Sequence, residues 1–388
     1  MITRYSICLC QTNRTTVSHR NEIYEKNLKR CLELVDYSVM RMGFNDYYAP
    51  TKLVAFPEVF FQGWYPRADR FKTINEKVAK EIAIRIPGEE TEHISKKARE
   101  HGIFIAGTAH EVIPEISEEY GLNCGFIIDP KGEVILKYHK HHNYLVRSGR
   151  DDASPHDIWD KYIEVMDGKF GRKKGDLLSC FFPVVETEIG KLGYIICNDG
   201  FTFENYRAIG IQGGEVLIRS SGMHEPEGTP PQGMWEVDNR CGANNNLMYV
   251  AAVGPGNLTA PRFPANAYPG NSMIVDFHGA IVVHANYPGE TVTFGVVDLD
   301  MLRARRLDQK HHWVTQMRMD AFREIYNRDM YPRDLFKNGP MDYPDRIKAQ
   351  TEVIERLVEN GTYIAPRGYV AGDLKPPKVY AISNDEKI

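Results

Sequence analysis

Apolar and polar residues follow two different periods along this chain, and the periods predict its secondary structure. Short apolar runs that stop at Gly, Pro or Asp are typical of strands, as at 4–11 (RYSICLCQ) and 291–299 (TVTFGVVDL). A helix is predicted over 21–41, where apolar residues share one helical face: Leu28, Cys31, Leu32, Val35 and Val39. Strands and helices alternate in this way over about the first 300 residues, which predicts an α/β fold of packed layers.

The same periods, together with turn residues, predict the remaining elements. Further helices are predicted over 75–86, 90–101, 203–214, 232–246 and 346–359. Further strands are predicted over 52–58, 103–112, 216–222 and 247–254. Hairpins are predicted for 122–129 with 133–140, for 181–189 with 192–199, and for 271–277 with 280–285.

Residues 194–201, YIICNDGF, place a thiol where an apolar strand stops. A free cysteine usually behaves as a small buried hydrophobe, and Cys197 could be one. The next three residues, Asn198, Asp199 and Gly200, instead turn the chain toward a helix. Unpaired N–H groups at a helix start can stabilise a thiolate and then an oxyanion, so this corner suits a nucleophile.

Glu58 ends a short strand, where Pro57 cannot donate the next ladder hydrogen bond. Most glutamates cap helices or pair with surface lysines. Here the run VAFPEVFFQGWYP encloses one carboxylate in apolar residues, and burial among them favours a base unless a cation is close. Lys140 could be that cation, because both residues stand at strand ends, and the ends of neighbouring strands in one sheet converge.

A thiol that attacks an unactivated carbonyl needs a base, and histidine is the usual one. Three histidines, His139, His141 and His142, surround Lys140 in the run HKHH. They could bind a metal ion, but alternate strand residues face opposite ways and no carboxylate or cysteine accompanies them, so no metal site is predicted. A basic strand end that faces solvent is the simpler interpretation.

Composition and charge restrict the class of partner. The chain has 388 residues, with 48 Lys and Arg against 52 Asp and Glu, and its net charge of −4 disfavours nucleic acid and anionic lipid as partners. No apolar stretch approaches the roughly 20 residues that cross a bilayer, and the N-terminus lacks a secretory signal. Seven scattered cysteines, an odd number, fit a reducing cytoplasm.

The composition changes near residue 300, and this change predicts the domain boundary. Beyond it the chain is charged and carries Pro332, Pro340, Pro344, Pro366, Pro376 and Pro377. We therefore predict a catalytic domain over 1–310 and a C-terminal extension over 311–388. The extension is expected to wrap the core or a partner subunit.

Three motifs carry a family resemblance. "AFPEVF", "LKYHKHH" and "YIICNDGF", in this order, resemble the Glu, Lys and Cys motifs of the nitrilase superfamily of carbon–nitrogen hydrolases. The similarity spans about residues 1–310, and three motifs in order are far more specific than one. The resemblance implies an αββα four-layer sandwich, protomers that pair helix to helix into a homo-oligomer, and no metal or organic cofactor.

The resemblance also implies a role for each motif residue. Glu58 matches the general base, Cys197 the nucleophile, and Lys140 the residue that helps to hold the tetrahedral oxyanion. The backbone N–H of Asn198 would face the same oxygen, and the reaction would pass through a thioester. A second acid is expected between the Lys and Cys motifs, where the sequence departs from the family pattern. Asp160 is the first candidate for it, followed by Glu164 and Asp157.

Within the superfamily the motifs are closest to those of aliphatic amidases. The run that begins CNDGFTFENYRAIGIQGGEV is similar to theirs, whereas nitrilases carry Trp-Glu after the nucleophile. N-carbamoyl amide hydrolases carry Arg where Phe201 and Thr202 stand here, so an anionic substrate is less expected. The expected reaction converts a small-molecule carboxamide into an acid and ammonia.

Several alternatives stay open. N-carbamoyl amide hydrolysis and nitrile hydrolysis belong to the same superfamily, and a catalytically inactive scaffold of the same fold belongs to another class. Phe60, Phe61, Trp64 and Tyr65 could line an acyl pocket, but core packing explains them as well.

Overall fold

Two six-stranded β-sheets packed face to face form the centre of the computed structural model. The structure describes residues 1–42, 49–64, 69–71, 74–143, 152–222, 233–259, 268–341 and 343–370. The strands, in chain order, are β1 (Arg4–Gln11), β2 (Arg14–Thr15), β3 (Thr51–Ala55), β4 (Phe104–Ile113), β5 (Ser117–Ile128), β6 (Val134–His139), β7 (Val184–Thr187), β8 (Gly190–Ile196), β9 (Val216–Ser220), β10 (Tyr249–Val253), β11 (Leu258–Thr259), β12 (Met273–Val275), β13 (Ile281–His284) and β14 (Thr291–Asp298).

The first sheet has the strand order β14-β1-β3-β4-β5-β6 and the second β13-β12-β10-β9-β8-β7. In the first sheet β1, β3 and β4 are parallel to one another, and β5 is antiparallel to β4 and β6. In the second sheet β8, β9 and β10 are parallel. The carboxyl ends of β3 and β6 therefore lie at the same edge of their sheet.

The apolar residues of the strands divide between two sides of the first sheet. On β1, Ile7 and Leu9 face the second sheet, whereas Cys8 and Cys10 face the outer helices. This alternation follows from the period of two along a strand. Between the sheets the backbone of β5 lies close to β8, since a Cβ on Gly125 would lie 2.6 Å from the Tyr194 ring.

Helices cover the outer face of each sheet. The α-helices are α1 (Lys29–Met42), α2 (Ile74–Lys77), α3 (Glu89–His101), α4 (Trp159–Met166), α5 (Leu177–Phe181), α6 (Phe203–Ile211), α7 (Met234–Asn246), α8 (Leu299–Arg306), α9 (Met319–Tyr326) and α10 (Tyr343–Glu359). Shorter or wider helical turns span Arg20–Glu22, Tyr24–Leu28, Val78–Ile82, Pro155–Ile158, Cys197–Phe201 and Gln309–His311. Helices α1 and α3 pack on the first sheet, and α6 and α7 pack on the second. The predicted α/β fold and its αββα layers are confirmed.

The predicted elements and the observed ones differ at several boundaries. The strand predicted over 52–58 ends at Ala55, so Glu58 lies in the turn that follows it. The helix predicted over 75–86 is α2 followed by a wide turn over Val78–Ile82. Helices α4, α5, α8 and α9 are not among the predicted elements; each has eight residues or fewer, so few turns are available to establish a helical period.

A smaller apolar cluster lies beside the sandwich and includes part of the C-terminal chain. Phe336 is buried there against Tyr120, with ring centroids 5.1 Å apart. Arg346 on α10 donates a 2.9 Å hydrogen bond to the buried carboxylate of Asp157 and a 3.1 Å bond to the carbonyl oxygen of Asp152. These contacts attach the extension to its own chain.

Within the described part of the chain, each helix is too short or too polar to cross a membrane.

The buried ion pair between Arg346 and Asp157 predicts a measurable stability effect. Replacing Arg346→Met leaves the Asp157 carboxylate buried without its cation, so the free energy of unfolding should fall by about 3 kcal/mol. Lys161→Met is the control, because Lys161 pairs with Glu164 in solvent and its loss should cost less than about 1 kcal/mol. Urea unfolding followed by circular dichroism measures both, and equal effects would contradict the assignment.

Candidate active site

Glu58, Lys140 and Cys197 follow the carboxyl ends of three strands that come from both sheets. Glu58 follows β3 and Lys140 follows β6 in the first sheet, whereas Cys197 follows β8 in the second. The expectation that Glu58 and Lys140 stand on neighbouring strands is wrong, because β4 and β5 lie between β3 and β6. The site is thus built across the sheet as well as between the sheets.

The chain after β3 crosses over β4, and this turn carries Glu58 toward β6. The N–H of Phe56 donates to the carbonyl oxygen of Ala106 on β4 at 2.9 Å. The N–H of Val59 donates to the hydroxyl oxygen of Thr108 on the same strand. Val59 itself has a positive φ of 45°, which is uncommon for a β-branched residue. The turn is therefore held from both sides of Glu58.

The Glu58 carboxylate is fully buried and accepts three hydrogen bonds. Its Oε1 accepts from the Lys140 ammonium and from the Asn123 amide, both at 2.8 Å. Its Oε2 accepts from the backbone N–H of Gly222 at 2.8 Å. These three donors fix the orientation of the carboxylate and compensate its burial.

Cys197 lies at the start of the helical turn Cys197–Phe201, with a positive φ of 48° and a partly exposed side chain. Burial and then the Glu58 carboxylate raise the pKa of its thiol above the ordinary value. The Lys140 ammonium, the Ser221 hydroxyl and the Gly222 N–H act in the opposite direction. The resting group is thus a thiol, and it needs a base before it can attack.

The Lys140 ammonium keeps its charge in this buried position. Burial favours the neutral amine, but attraction to Cys197 in its thiolate form, the Glu58 charge and the hydrogen bond to Glu58 outweigh burial and raise the pKa of Lys140 above the ordinary value. The backbone N–H of Lys140 donates to the carbonyl oxygen of Asn123 at 2.9 Å. Asn123 therefore contacts Glu58 through its side chain and Lys140 through its backbone.

Asp199 links the Lys140 and Cys197 segments. Its Oδ1 accepts from the backbone N–H groups of His141 and His142, at 3.2 and 2.8 Å. Its Oδ2 accepts from the Tyr138 hydroxyl at 2.8 Å and from the N–H of Ile196 at 3.1 Å. One buried carboxylate thus holds the end of β6 against the end of β8.

The donors around Asp199 also set its charge. Burial would raise the pKa of this carboxyl, but the hydrogen bond from His142 and the charges of His142 and Lys140 keep it below the ordinary value. Asp199 is therefore an anion at neutral pH. Sequence reasoning treated it only as a turn residue.

The three histidines around Lys140 have separate partners. His139 contacts Tyr162 and Glu111, each at 2.8 Å, and burial lowers its pKa to about 4. His141 contacts the carbonyl oxygen of Phe181 at 3.0 Å, and burial lowers its pKa to about 4 as well. The basic strand end expected from sequence is therefore largely buried and, at these two residues, neutral.

One group of side chains has the atoms of a metal site. Glu111, Cys124 and His139 place one ligand atom each within 4.8 Å of one another, and all three are buried. The Lys137 ammonium binds Glu111 Oε1, and His139 binds Glu111 Oε2. The charge of the Glu111 carboxylate is thus already balanced by the Lys137 ammonium, so we interpret this cluster as a structural ion pair and not as a metal site.

The structure does not support Asp160 as the second acid of the site. Asp160 lies exposed in the first turn of α4, and Glu164 is exposed beside Lys161, 3.0 Å away. Asp157 is buried, but Arg346 and Ser154 bind its carboxylate. The helix pattern around Asp160 predicts an outward-facing charge, and the structure agrees with that pattern.

A different acid of this segment is buried near the site. The Asp152 carboxylate lies 3.4 Å from Nδ1 of the buried His110. The His110 ring meets the ring of Trp64 edge to face at 5.8 Å, and the Lys140 ammonium lies 6.0 Å from the Trp64 ring centroid. Asp152 therefore borders the wall of the site through His110.

The aromatic residues after Glu58 divide between core and site. Phe60 and Phe61 are fully buried and pack with each other at 4.2 Å, so core packing accounts for them. Trp64 is partly exposed, and a Cβ on Gly222 would lie 2.8 Å from its indole nitrogen. Trp64 thus faces the same loop as Glu58, and Tyr65 lies outside the described residues.

Comparisons with known proteins identify the family of this chain. The family model for carbon–nitrogen hydrolases matches residues 7–307. Formamidases from Bacillus thuringiensis and Bacillus anthracis are 30% identical over 251 residues, which is 63% of this chain. The match spans 62% of the length of these formamidases.

Solved structures show the same fold at low identity. A nitrilase-superfamily protein from Saccharomyces cerevisiae has a TM-score of 0.57 and 21% identity, over 80% of this chain and 95% of that one. A carbon–nitrogen hydrolase from Helicobacter pylori has a TM-score of 0.60 and 17% identity, over 84% and 99%. An amidase variant from Nesterenkonia sp. has a TM-score of 0.56 and 15% identity, over 82% and 96%.

The charges around the Cys197 thiol predict opposite shifts for two substitutions. Glu58→Gln removes the anion that raises the thiol pKa and should lower that pKa. Lys140→Met removes the opposing cation and should raise the thiol pKa. The measurement is the rate of Cys197 alkylation by iodoacetamide against pH, read by mass spectrometry. Exposed Cys241 serves as internal control, and shifts in the same direction would contradict this electrostatic account.

The hydrogen bonds of Asp199 between the ends of β6 and β8 predict that its substitution lowers turnover. Asp199→Asn turns an amide N–H toward groups that already donate, so the ends of β6 and β8 should separate slightly. A displacement of about 1 Å at a reacting group can cost about 100-fold in rate, and we expect a fall in kcat of that order. Asp276→Asn is the control, because Asp276 also accepts backbone N–H bonds but lies in a hairpin turn. Equal kcat in both variants would contradict the role.

Proposed function

This chain belongs to the carbon–nitrogen hydrolase family, and on that premise we propose that it is an amidase. The proposed reaction converts a carboxamide into a carboxylic acid and ammonia through a thioester on Cys197. The observation that carries the proposal is the contact between Glu58 and Lys140, whose Nζ and Oε1 are 2.8 Å apart. After burial, these two side chains have the largest effect on the Cys197 thiol, so the candidate base, cation and nucleophile belong to one site.

In the first half of the proposed reaction Glu58 activates the thiol. Glu58 takes the thiol proton while the sulfur of Cys197 forms a bond to the amide carbon, and the carbonyl oxygen gains the negative charge. The Lys140 ammonium and the backbone N–H of Asn198 stabilise this oxyanion, and one good donor contributes roughly 3 kcal/mol to the transition state. The C–N bond then breaks, Glu58 returns the proton to nitrogen, and ammonia leaves.

The second half of the reaction uses the same groups. Glu58 takes a proton from water, the resulting hydroxide attacks the thioester carbon, and the C–S bond breaks. The proton returns to the sulfur, which restores the thiol and releases the acid. The raised thiol pKa favours this return, because the resting group is the neutral thiol. Side chains and backbone groups fill each role, so the proposal involves no cofactor.

The relatives support amides as the substrate class. The similar Bacillus proteins are named as formamidases. In the Nesterenkonia amidase variant, the acetamide moiety of fluoroacetamide is bonded covalently to the active-site cysteine. An acyl or alkyl adduct on Cys197 is the corresponding expectation for this chain.

The helix-to-helix pairing of protomers stays a prediction. Helices α6 and α7 form the outer layer of the second sheet. They expose apolar side chains there: Phe203, Ile211, Met234 and Val237. Such a surface is consistent with a homo-oligomer in which a second copy covers it.

The test combines product release with adduct mass. The protein is incubated with formamide, acetamide, an N-carbamoyl amino acid and an aliphatic nitrile, and we expect ammonia only from the amides. Acid-quenched samples should show an acyl adduct on the peptide that contains Cys197. Cys197→Ala should lower turnover by at least about 10⁴-fold, whereas Cys241→Ala, at an exposed thiol, should leave it unchanged.

Three other outcomes would overturn the proposal. Carbon dioxide release from the N-carbamoyl compound would assign the carbamoyl class, and turnover of the nitrile alone would assign a nitrilase. Inertness toward every compound, with the thiol still open to iodoacetamide, would favour a scaffold.

A further inference from the structure

Arg219 is a fully buried cation inside an apolar strand of the second sheet. It lies on β9 between Ile218 and Ser220, and it pairs with Ile195 of β8 on one side. Burial of a guanidinium is costly unless its N–H groups all find acceptors. Neither the proposed reaction nor the ion pairs described above use this residue.

The hydrogen bonds of Arg219 converge on the backbone of Cys197. Its Nη2 donates to the carbonyl oxygen of Cys197 at 2.9 Å, and its Nε donates to the same oxygen at 3.3 Å. Its Nη1 donates to the Tyr206 hydroxyl at 2.8 Å and to Asn239 Oδ1 at 2.9 Å. The guanidinium carbon also lies 4.5 Å from the Trp235 ring centroid. All these partners are neutral, so hydrogen bonds and the contact with the Trp235 ring hold the guanidinium, without a carboxylate partner.

The carbonyl that Arg219 binds belongs to the same peptide unit as the N–H of Asn198. A peptide unit is planar and trans, so its C=O and N–H point in opposite directions. A guanidinium that holds the Cys197 C=O from two nitrogens therefore also fixes the direction of the Asn198 N–H. Donation to the carbonyl oxygen polarises the peptide unit and makes its N–H a stronger donor.

The backbone of Cys197 needs such a restraint. Its φ of 48° lies in the left-handed region, which costs an ordinary residue roughly 1–2 kcal/mol. Gly200 reflects the same arrangement, because a Cβ there would lie 1.9 Å from the guanidinium carbon of Arg219. The glycine of the CNDG run is thus required by the arginine that packs over it.

We propose that Arg219 is a positioning residue that holds the Cys197–Asn198 peptide unit and so directs the Asn198 N–H at the developing oxyanion. The inference rests on the proposed function, because that function places the oxyanion beside the Asn198 N–H. The positioning role predicts that substitution of Arg219 lowers the rate only of reactions that form a tetrahedral oxyanion.

The test compares two reactions of the same sulfur in Arg219→Met and Arg219→Lys. Amide hydrolysis forms an oxyanion, whereas alkylation by iodoacetamide displaces iodide and forms none. In Arg219→Met we expect kcat to fall about 100-fold, as for the loss of one oxyanion donor, with KM and the alkylation rate unchanged. Lysine keeps the charge but cannot make the forked contact, so Arg219→Lys should recover little of the rate.

Arg306→Met is the matched control. Arg306 is partly buried and, like Arg219, donates to backbone carbonyl oxygens, but these belong to Leu247, Gly213 and Gly214 and not to the Cys197–Asn198 peptide unit. Its loss should lower the melting temperature and leave kcat unchanged. Wild-type kcat in Arg219→Met, or a fall in alkylation parallel to the fall in turnover, would overturn the positioning role. Inertness of the wild-type protein toward amides would instead count against the proposed function.

Discussion

The contact between the Glu58 carboxylate and the Lys140 ammonium is the interaction on which the site depends. Two opposite charges inside a protein lose more hydration than they gain in attraction, unless further hydrogen bonds complete their coordination. The amide of Asn123 and the N–H of Gly222 complete it for the carboxylate. The carboxylate and the ammonium are therefore held in contact and in fixed orientation. The reactivity of the Cys197 thiol depends on this arrangement, because the Glu58 charge raises the thiol pKa and the Lys140 charge lowers it.

The sequence was sufficient to name Glu58, Lys140 and Cys197 as candidates, and the structure brings Glu58 and Lys140 into contact. Glu58 and Cys197 each stand where an apolar run ends, a break that is visible without knowledge of the fold, whereas the role of Lys140 follows from the family resemblance of its motif. Their placement relative to one another was not predictable in the same way. Sheet order depends on contacts between distant segments, and no local pattern shows that β4 and β5 stand between β3 and β6. For Asp160, the helical pattern predicted exposure, and the expectation of a second acid outweighed that evidence.

Other polar groups at the site were missed although the sequence marked them. Asn123 and Arg219 both interrupt apolar strands, and a polar residue inside a buried run requires a partner. The sequence alone thus indicates that Asn123 and Arg219 each need a buried hydrogen-bond partner. Asp199 is harder to detect, because a carboxylate after a strand resembles any turn residue. Two of its partners are the backbone N–H groups of His141 and His142, which follow β6 in the other sheet, and only the tertiary structure shows this contact.

The base and the nucleophile belong to different sheets, and this division has a consequence for the folding chain. Glu58 and Lys140 follow strands of the first sheet, whereas Cys197 and the Gly222 N–H that binds the Glu58 carboxylate follow strands of the second. A chain whose two sheets have not docked would therefore hold neither the base nor the thiol in place, and it would lack hydrolytic power. Activity is in this sense a property of the whole sandwich and of neither half alone.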